Sequence, residues 1–63
     1  MTTIRITTYD PEGRARVTFS WTPSFSEMID QLRRRSCIIC QREGYVKYKA
    51  GNLTKEIDLI NPD

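Results

Sequence analysis

Residues 15–32 read ARVTFSWTPSFSEMIDQL, and the spacing of the apolar residues changes within this stretch. Before Pro23 the apolar residues occupy every second position, which is the period of a strand with one buried face. After Pro23 they fall at the spacing of one helical face. The first set is Ala15, Val17, Phe19 and Trp21, and the second is Phe25, Met28, Ile29 and Leu32. The stretch therefore predicts a strand that leads directly into a helix.

A β-hairpin is predicted to precede the helix. Its first strand runs from Thr3 to Tyr9 and its second from Arg14 to Trp21. Between them, the residues from Asp10 to Gly13 have turn chemistry, because proline presets φ and glycine tolerates positive φ.

The helix is predicted to run from Phe25 to about Arg35. Ser24 and Glu27 have the spacing of a capping box, in which each side chain bonds to a backbone N–H at the helix start. Residues 36–41 fit either a further helical turn or a short buried strand. We expect a helical turn or an irregular segment there.

A second hairpin is predicted from Tyr45 to Ala50 and from Leu53 to Ile60, around a Gly51-Asn52 turn. That turn sets a register with Val46 opposite Ile57, so that apolar residues meet on one face. On the other face the same register pairs Lys47 with Glu56.

The sequence thus predicts one small α+β domain over residues 1–63, ordered strand-strand-helix-strand-strand, with one helix packed on a four-stranded sheet. The predicted core consists of Ile4, Ile6, Val17, Phe19, Trp21, Phe25, Met28, Ile29, Leu32, Val46, Ile57 and Leu59.

This order, with the helix start Thr22-Pro23-Ser24-Phe25-Ser26-Glu27-Met28-Ile29 and the strand Tyr45-Val46-Lys47-Tyr48-Lys49, resembles the β-grasp fold of ubiquitin-like domains. It is most similar to the Phox/Bem-type heterodimerisation domains. The resemblance implies a module that joins protein partners, with Arg5 at the basic position of the first strand. The acidic loop of those domains has no counterpart after Gly51-Asn52.

Composition argues against several functional classes. The chain has no histidine, and its three glycines are isolated, so neither a histidine-based catalytic site nor a phosphate-binding glycine loop is predicted. We expect no enzymatic activity and no cofactor. No apolar run is long enough to span a membrane, and two free thiols without an export signal suggest the cytoplasm.

Basic residues form the main candidate site, although the formal net charge is only +2. On the predicted strands, five cations project from the sheet face opposite the helix: Arg5, Arg14, Arg16, Lys47 and Lys49. Tyr9 and Tyr45 are candidates for stacking on nucleic-acid bases among them. A second basic patch consists of Arg33, Arg34, Arg35 and Arg42. The first three end the predicted helix, where positive charges stabilise the negative end of the helix dipole. An ordinary solvated face is the alternative to a binding site.

Cys37 and Cys40 have the spacing of a metal or redox motif. One chain offers only this pair, and a structural zinc site needs four ligands, so a metal site would require a dimer. Buried structural thiols and a redox pair are the other interpretations.

The functional hypothesis is a small stand-alone interaction or regulatory module that binds a protein, or a second copy of itself, through the basic face or an exposed edge strand. A nucleic-acid-binding protein that uses the same face is the first alternative, and a metal-binding dimer through the cysteines is the second.

Overall fold

The computed structural model describes residues 1–61 and shows one helix packed on a five-stranded antiparallel sheet. The elements in chain order are β1 (Thr2–Tyr9), β2 (Ala15–Thr22), α1 (Phe25–Arg35), β3 (Cys37–Arg42), β4 (Tyr45–Ala50) and β5 (Leu53–Asn61). The strand order is β2-β1-β5-β4-β3, so that β2 and β3 are the two edges of the sheet. The α+β class is confirmed, but the prediction of four strands was wrong.

The fifth strand is β3, which occupies residues where we expected a helical turn or an irregular segment. Helix α1 begins with the Ser24 hydroxyl accepting a hydrogen bond from the Glu27 N–H at 3.3 Å. It ends at Arg35, because Ser36 has an extended backbone and its N–H caps the Leu32 carbonyl. The chain is therefore already extended when it reaches Cys37. The apolar pair Ile38-Ile39 accordingly lies in a strand, the alternative that the residue pattern had left open.

The second hairpin has the predicted register. Val46 lies opposite Ile57 and Lys47 opposite Glu56. Gly51 supplies the positive φ that the turn requires. The sequence was sufficient to predict this register because the turn type and the pairing of apolar residues both specify it.

The core lies between α1 and the four strands β1, β5, β4 and β3. Its buried apolar residues are Ile4, Ile29, Val46, Tyr48 and Ile57. Ile6, Phe25, Met28, Leu32, Ile38 and Ala50 pack around them and are partly buried. Leu59 is also partly buried. The prediction was wrong for Val17, Phe19 and Trp21, which are 52%, 67% and 58% exposed.

The register of the first hairpin explains this difference. The Gly13 N–H bonds to the Asp10 carbonyl, and the Asp10 N–H bonds to the Arg14 carbonyl. Three residues, Pro11 to Gly13, therefore form the loop, with Gly13 at φ +85°. This is the common three-residue hairpin loop whose last residue is left-handed. With three residues in the loop, each odd-numbered residue of β1 lies opposite an odd-numbered residue of β2. Phe19 consequently lies opposite Arg5, on the face away from α1.

The face of β2 on the helix side carries Arg16, Thr18 and Ser20, and no part of α1 covers them. A helix is about 10 Å wide with its side chains, whereas strands lie about 4.8 Å apart. One helix therefore covers only part of a five-stranded sheet. Within residues 1–61, no helix is long and apolar enough to cross a membrane.

Two valine-to-alanine substitutions test this register directly. Val46 is fully buried, and V46A is expected to lower the free energy of unfolding by about 2 kcal/mol through lost burial and the cavity left behind. V17A removes the same atoms from an exposed strand position and should cost less than about 0.5 kcal/mol. Denaturant unfolding measures both. Equal losses would place Val17 in the core and contradict the register.

Candidate interaction surface

The sheet face turned away from α1, here called the open face, has no covering layer among residues 1–61. Strand residues alternate between faces, so the neighbours of the core residues Ile4, Val46 and Ile57 point to the open face. By the observed registers this face carries Thr3, Arg5, Thr7, Tyr9, Val17, Phe19, Trp21, Tyr45, Lys47, Lys49, Glu56 and Asp58.

The structure brings together only three of the five cations predicted for this face, namely Arg5, Lys47 and Lys49. Arg16 lies opposite Thr8 and therefore on the helix side of the sheet. Arg14 belongs to the turn, where its Nε lies 3.1 Å from the Asp10 carboxylate and one of its terminal nitrogens 3.3 Å from Glu12. The expectation of five cations on one face was therefore wrong, because the hairpin register reverses the faces of β2.

Carboxylates lie beside two of the three predicted cations that remain on the open face. The Arg5 guanidinium lies 3.3 Å from the Asp58 carboxylate on the neighbouring strand. Lys47 lies directly opposite Glu56. The middle of the open face thus carries carboxylates beside its cations and is not a purely positive surface.

Glu56 also organises two tyrosines. The Tyr45 hydroxyl donates a hydrogen bond to the Glu56 carboxylate, which raises the pKa of Tyr45 to about 12. Hydrogen bonding to Glu56 also raises the pKa of Tyr9. Hydrogen bonds from Tyr45 and Tyr9, together with the charge of Lys47, lower the pKa of Glu56. Both tyrosines lie on the open face as expected, but the hydroxyl group of each is hydrogen-bonded to Glu56, whose carboxylate stays ionised.

Apolar side chains on β2 are the feature that sequence reasoning missed. Val17, Phe19 and Trp21, here called the apolar strip, lie side by side at the edge of the open face. Across β1 their neighbours are Thr7, Arg5 and Thr3. The signal for this placement was the glycine at the end of the Asp10–Gly13 turn, since a left-handed residue there favours an odd loop length. The alternation of residues was interpreted correctly, but it was assigned to the wrong face.

The two edge strands differ in their protection against further pairing. Strand β2 has eight residues in unbroken register and contains neither proline nor lysine. Strand β3 has six residues, and its register shifts between Ile38 and Cys40, which is the mark of a β-bulge. Bulges, lysine and proline are the usual means of blocking an edge. Of the two edges, β2 is therefore the one open to another strand.

The second basic patch is divided between two layers of the molecule. Arg33, in the last turn of α1, donates a hydrogen bond of 2.7 Å to the Gln41 side chain on β3. Arg34 and Arg35 are exposed beside it. Arg42 lies opposite Tyr45 and so belongs to the open face, where it borders a shallow recess with Cys40 and Lys47. The four arginines therefore do not form one surface.

Both cysteines are free thiols on β3, with Cys37 exposed and Cys40 partly buried. They are not the buried structural thiols that composition favours. Among residues 1–61, no cluster of three or more histidine, cysteine, aspartate or glutamate side chains is placed to hold a metal ion.

Comparison with known proteins gives this chain no relative: no protein-family model, no curated protein and no solved structure matches it. The arrangement of its own residues is therefore the basis for any functional argument.

The tyrosine–carboxylate contact is testable by titration. Tyr45 should remain protonated until about pH 12, and E56Q should bring its pKa down towards the ordinary tyrosine value of 10.0, because the hydrogen-bonded carboxylate is the main cause of the shift. NMR of the tyrosine rings resolves the individual residues. Since its pKa is raised, Tyr45 contributes stability below its unfolded pKa that is lost as pH rises through about 12.

Tyr48 is an internal control for this titration. Its pKa is raised by burial and not by Glu56, so it should be unchanged in E56Q. D58N is the matched variant, because Asp58 has only a minor charge effect on Tyr45 and its removal should lower that pKa much less. Equal shifts in E56Q and D58N would contradict the assignment.

Proposed function

We propose that this protein is a small interaction module that binds protein through the β2 edge and the apolar strip, and that its partner is a second copy of the same chain. The observation that carries the proposal is the coincidence of Val17, Phe19 and Trp21, all more than half exposed, with an unprotected strand edge. An exposed apolar patch on a free edge is typical of protein interaction sites, since both its side chains and its backbone can gain partners.

The apolar strip is complementary to itself. In an antiparallel pairing of β2 with the partner's β2 about a two-fold axis at Phe19, the two copies of Phe19 lie opposite each other. Val17 then lies opposite the partner's Trp21. Aromatic and β-branched residues are favourable cross-strand pairs. Two copies thereby join their apolar strips into one continuous patch and their sheets into one larger sheet.

Charge is compatible with the same pairing. On the helix side of the sheet, Thr18 lies opposite the partner's Ser20, and Arg16 lies opposite the partner's Thr22. No like charges face each other directly, a situation that would destabilise the pair. The buried area is small, since one strand edge and three side chains fall below the roughly 1,200 Å² at the low end of stable interfaces. A weak, reversible dimer is therefore expected.

The basic residues provide less support for a binding role than the apolar strip. Arg5 is engaged with Asp58, and the ionised Glu56 and Asp58 lie between the apolar strip and Lys47 and Lys49. A nucleic-acid strand that stacked on Phe19 or Trp21 would carry its phosphates past these carboxylates, which repel them. Self-association requires no such approach.

The resemblance to ubiquitin-like heterodimerisation domains supports the same class of function, because those domains join proteins. The proposal differs in the mode of contact. Arg5 occupies the basic first-strand position of that resemblance, but its guanidinium already lies 3.3 Å from a carboxylate of its own chain. We therefore propose edge pairing of β2 and not a charge-based head-to-tail contact.

Sedimentation equilibrium over a range of protein concentrations tests the proposal. The wild type should show a reversible monomer–dimer equilibrium. F19T/W21T should weaken dimerisation by about tenfold or more, since burial of one such aromatic side chain is worth about 1.5–3 kcal/mol. Threonine keeps strand propensity, so the monomer should remain folded. I39T replaces an exposed apolar residue on the other edge strand, β3, and should change dimerisation less than about twofold.

Hydrogen exchange shows which edge is used. Amide protons of β2 should gain protection as protein concentration rises, whereas those of β3 should not. A monomer at every concentration would overturn the proposal, as would a dimer that F19T/W21T leaves intact. Tight binding of a single-stranded oligonucleotide, with a steep linear dependence of log affinity on log salt, would assign the open face to nucleic acid instead.

A further inference from the structure

The bulge in β3 brings the two thiols to the same face. In a regular strand, residues three apart point to opposite sides of the sheet. Here Cys37 lies opposite Lys49 and Cys40 opposite Lys47, with Ile39 as the additional residue between them. Because Lys47 and Lys49 share the open face, both cysteines lie on it as well.

The separation of the two cysteines favours one bridging atom over a direct bond. Lys47 and Lys49 are two residues apart on one strand, a spacing of about 6.4–6.8 Å, and from the register we infer a similar separation for the cysteines paired with them. This spacing is at the upper end of the Cα separations found in disulfides. Side chains that leave one face in the same direction keep their Cβ atoms about as far apart, which exceeds the roughly 3.5–4.5 Å that a disulfide needs. A metal ion between the two sulfur atoms can span this gap, since a metal–thiolate bond, that of zinc for example, is about 2.3 Å long.

The donor set selects the kind of ion. A tetrahedral zinc site needs four ligands, whereas no group of three or more suitable side chains exists in residues 1–61. Thiolates prefer soft ions such as Cu(I), for which two sulfur ligands in line are sufficient. Binding releases one proton from each thiol, and two thiolates with one Cu(I) carry a single negative charge. Lys49 and Lys47 are the register partners of the two cysteines, and their positive charges complement that negative charge.

We propose that Cys37 and Cys40 form a two-thiolate site for a soft monovalent metal ion of the Cu(I) class. Cys37 is exposed, so the ion reaches the site from solvent. Ile39, 53% exposed, borders the recess beside Cys40 and is an apolar neighbour of that thiol. The site lies at the sheet edge opposite the apolar strip and is independent of self-association through β2.

Anaerobic titration of the reduced protein with Cu(I), in competition with a coloured Cu(I) chelator, tests the site. One ion per chain is expected, with native mass spectrometry to give the stoichiometry. C37S and C40S should each lower the affinity by about a hundredfold or more, since each loses the chelate effect of two linked ligands. Circular dichroism checks that the variants remain folded.

The control C40S/Q41C keeps two thiols but moves one to the helix side of β3. It should bind Cu(I) no better than the single-cysteine variants. Wild-type affinity in this control would overturn the proposal, because the shared face would then be irrelevant. One ion per two chains would assign the cysteines to a site shared between copies. Rapid, complete formation of an intramolecular disulfide in air would contradict the spacing argument.

Discussion

The turn from Asp10 to Gly13 sets the register on which the rest of the surface depends. Gly13 adopts a left-handed backbone, and the Asp10 carboxylate accepts a hydrogen bond of 2.8 Å from the Arg14 N–H. The result is a loop with an odd number of residues. Because side chains alternate along a strand, a loop one residue shorter or longer would exchange the two faces of β2. This one turn therefore decides whether Phe19 and Trp21 meet the helix or the solvent.

The size of the helix has a second, equally simple consequence. An eleven-residue helix covers the central strands and β3, where Ile29 packs with Val46 and Ile57. It leaves β2 uncovered on both faces, and β2 turns its polar side towards the helix layer. The apolar strip is then the only large apolar surface of the hairpin without a partner among the described residues. In the proposed dimer, a second copy of the chain covers the apolar strip and also pairs with the open edge of β2.

The alternation of side chains along the two edge strands decides which residues are grouped at each edge of the sheet. Strand β2 keeps its alternation intact, so three apolar residues line up on one side. Strand β3 interrupts its alternation at Ile39, so two cysteines that a regular strand would separate share one face. In each strand, the face on which a side chain lies depends on whether the strand contains an extra, unpaired residue. The spacing of residues along the chain therefore does not by itself say which side chains share a face.

The sequence by itself determined the α+β class, the bounds of the helix within one residue, and the register of the second hairpin. Periodicity, capping by Ser24 and the Gly51-Asn52 turn are local signals, and each acts over a few residues. It also identified Ile4, Ile29, Val46 and Ile57 as core. Only the tertiary structure decided that residues 37–42 form a fifth strand, that the faces of β2 are reversed, and that Arg14 and Arg16 leave the open face. The burial of an alternating segment depends on the strand it pairs with and on the layer that covers it. Strand β2 pairs with β1 in the register set by the Asp10–Gly13 turn, β3 pairs with β4, and the position of α1 decides which face of the sheet is covered.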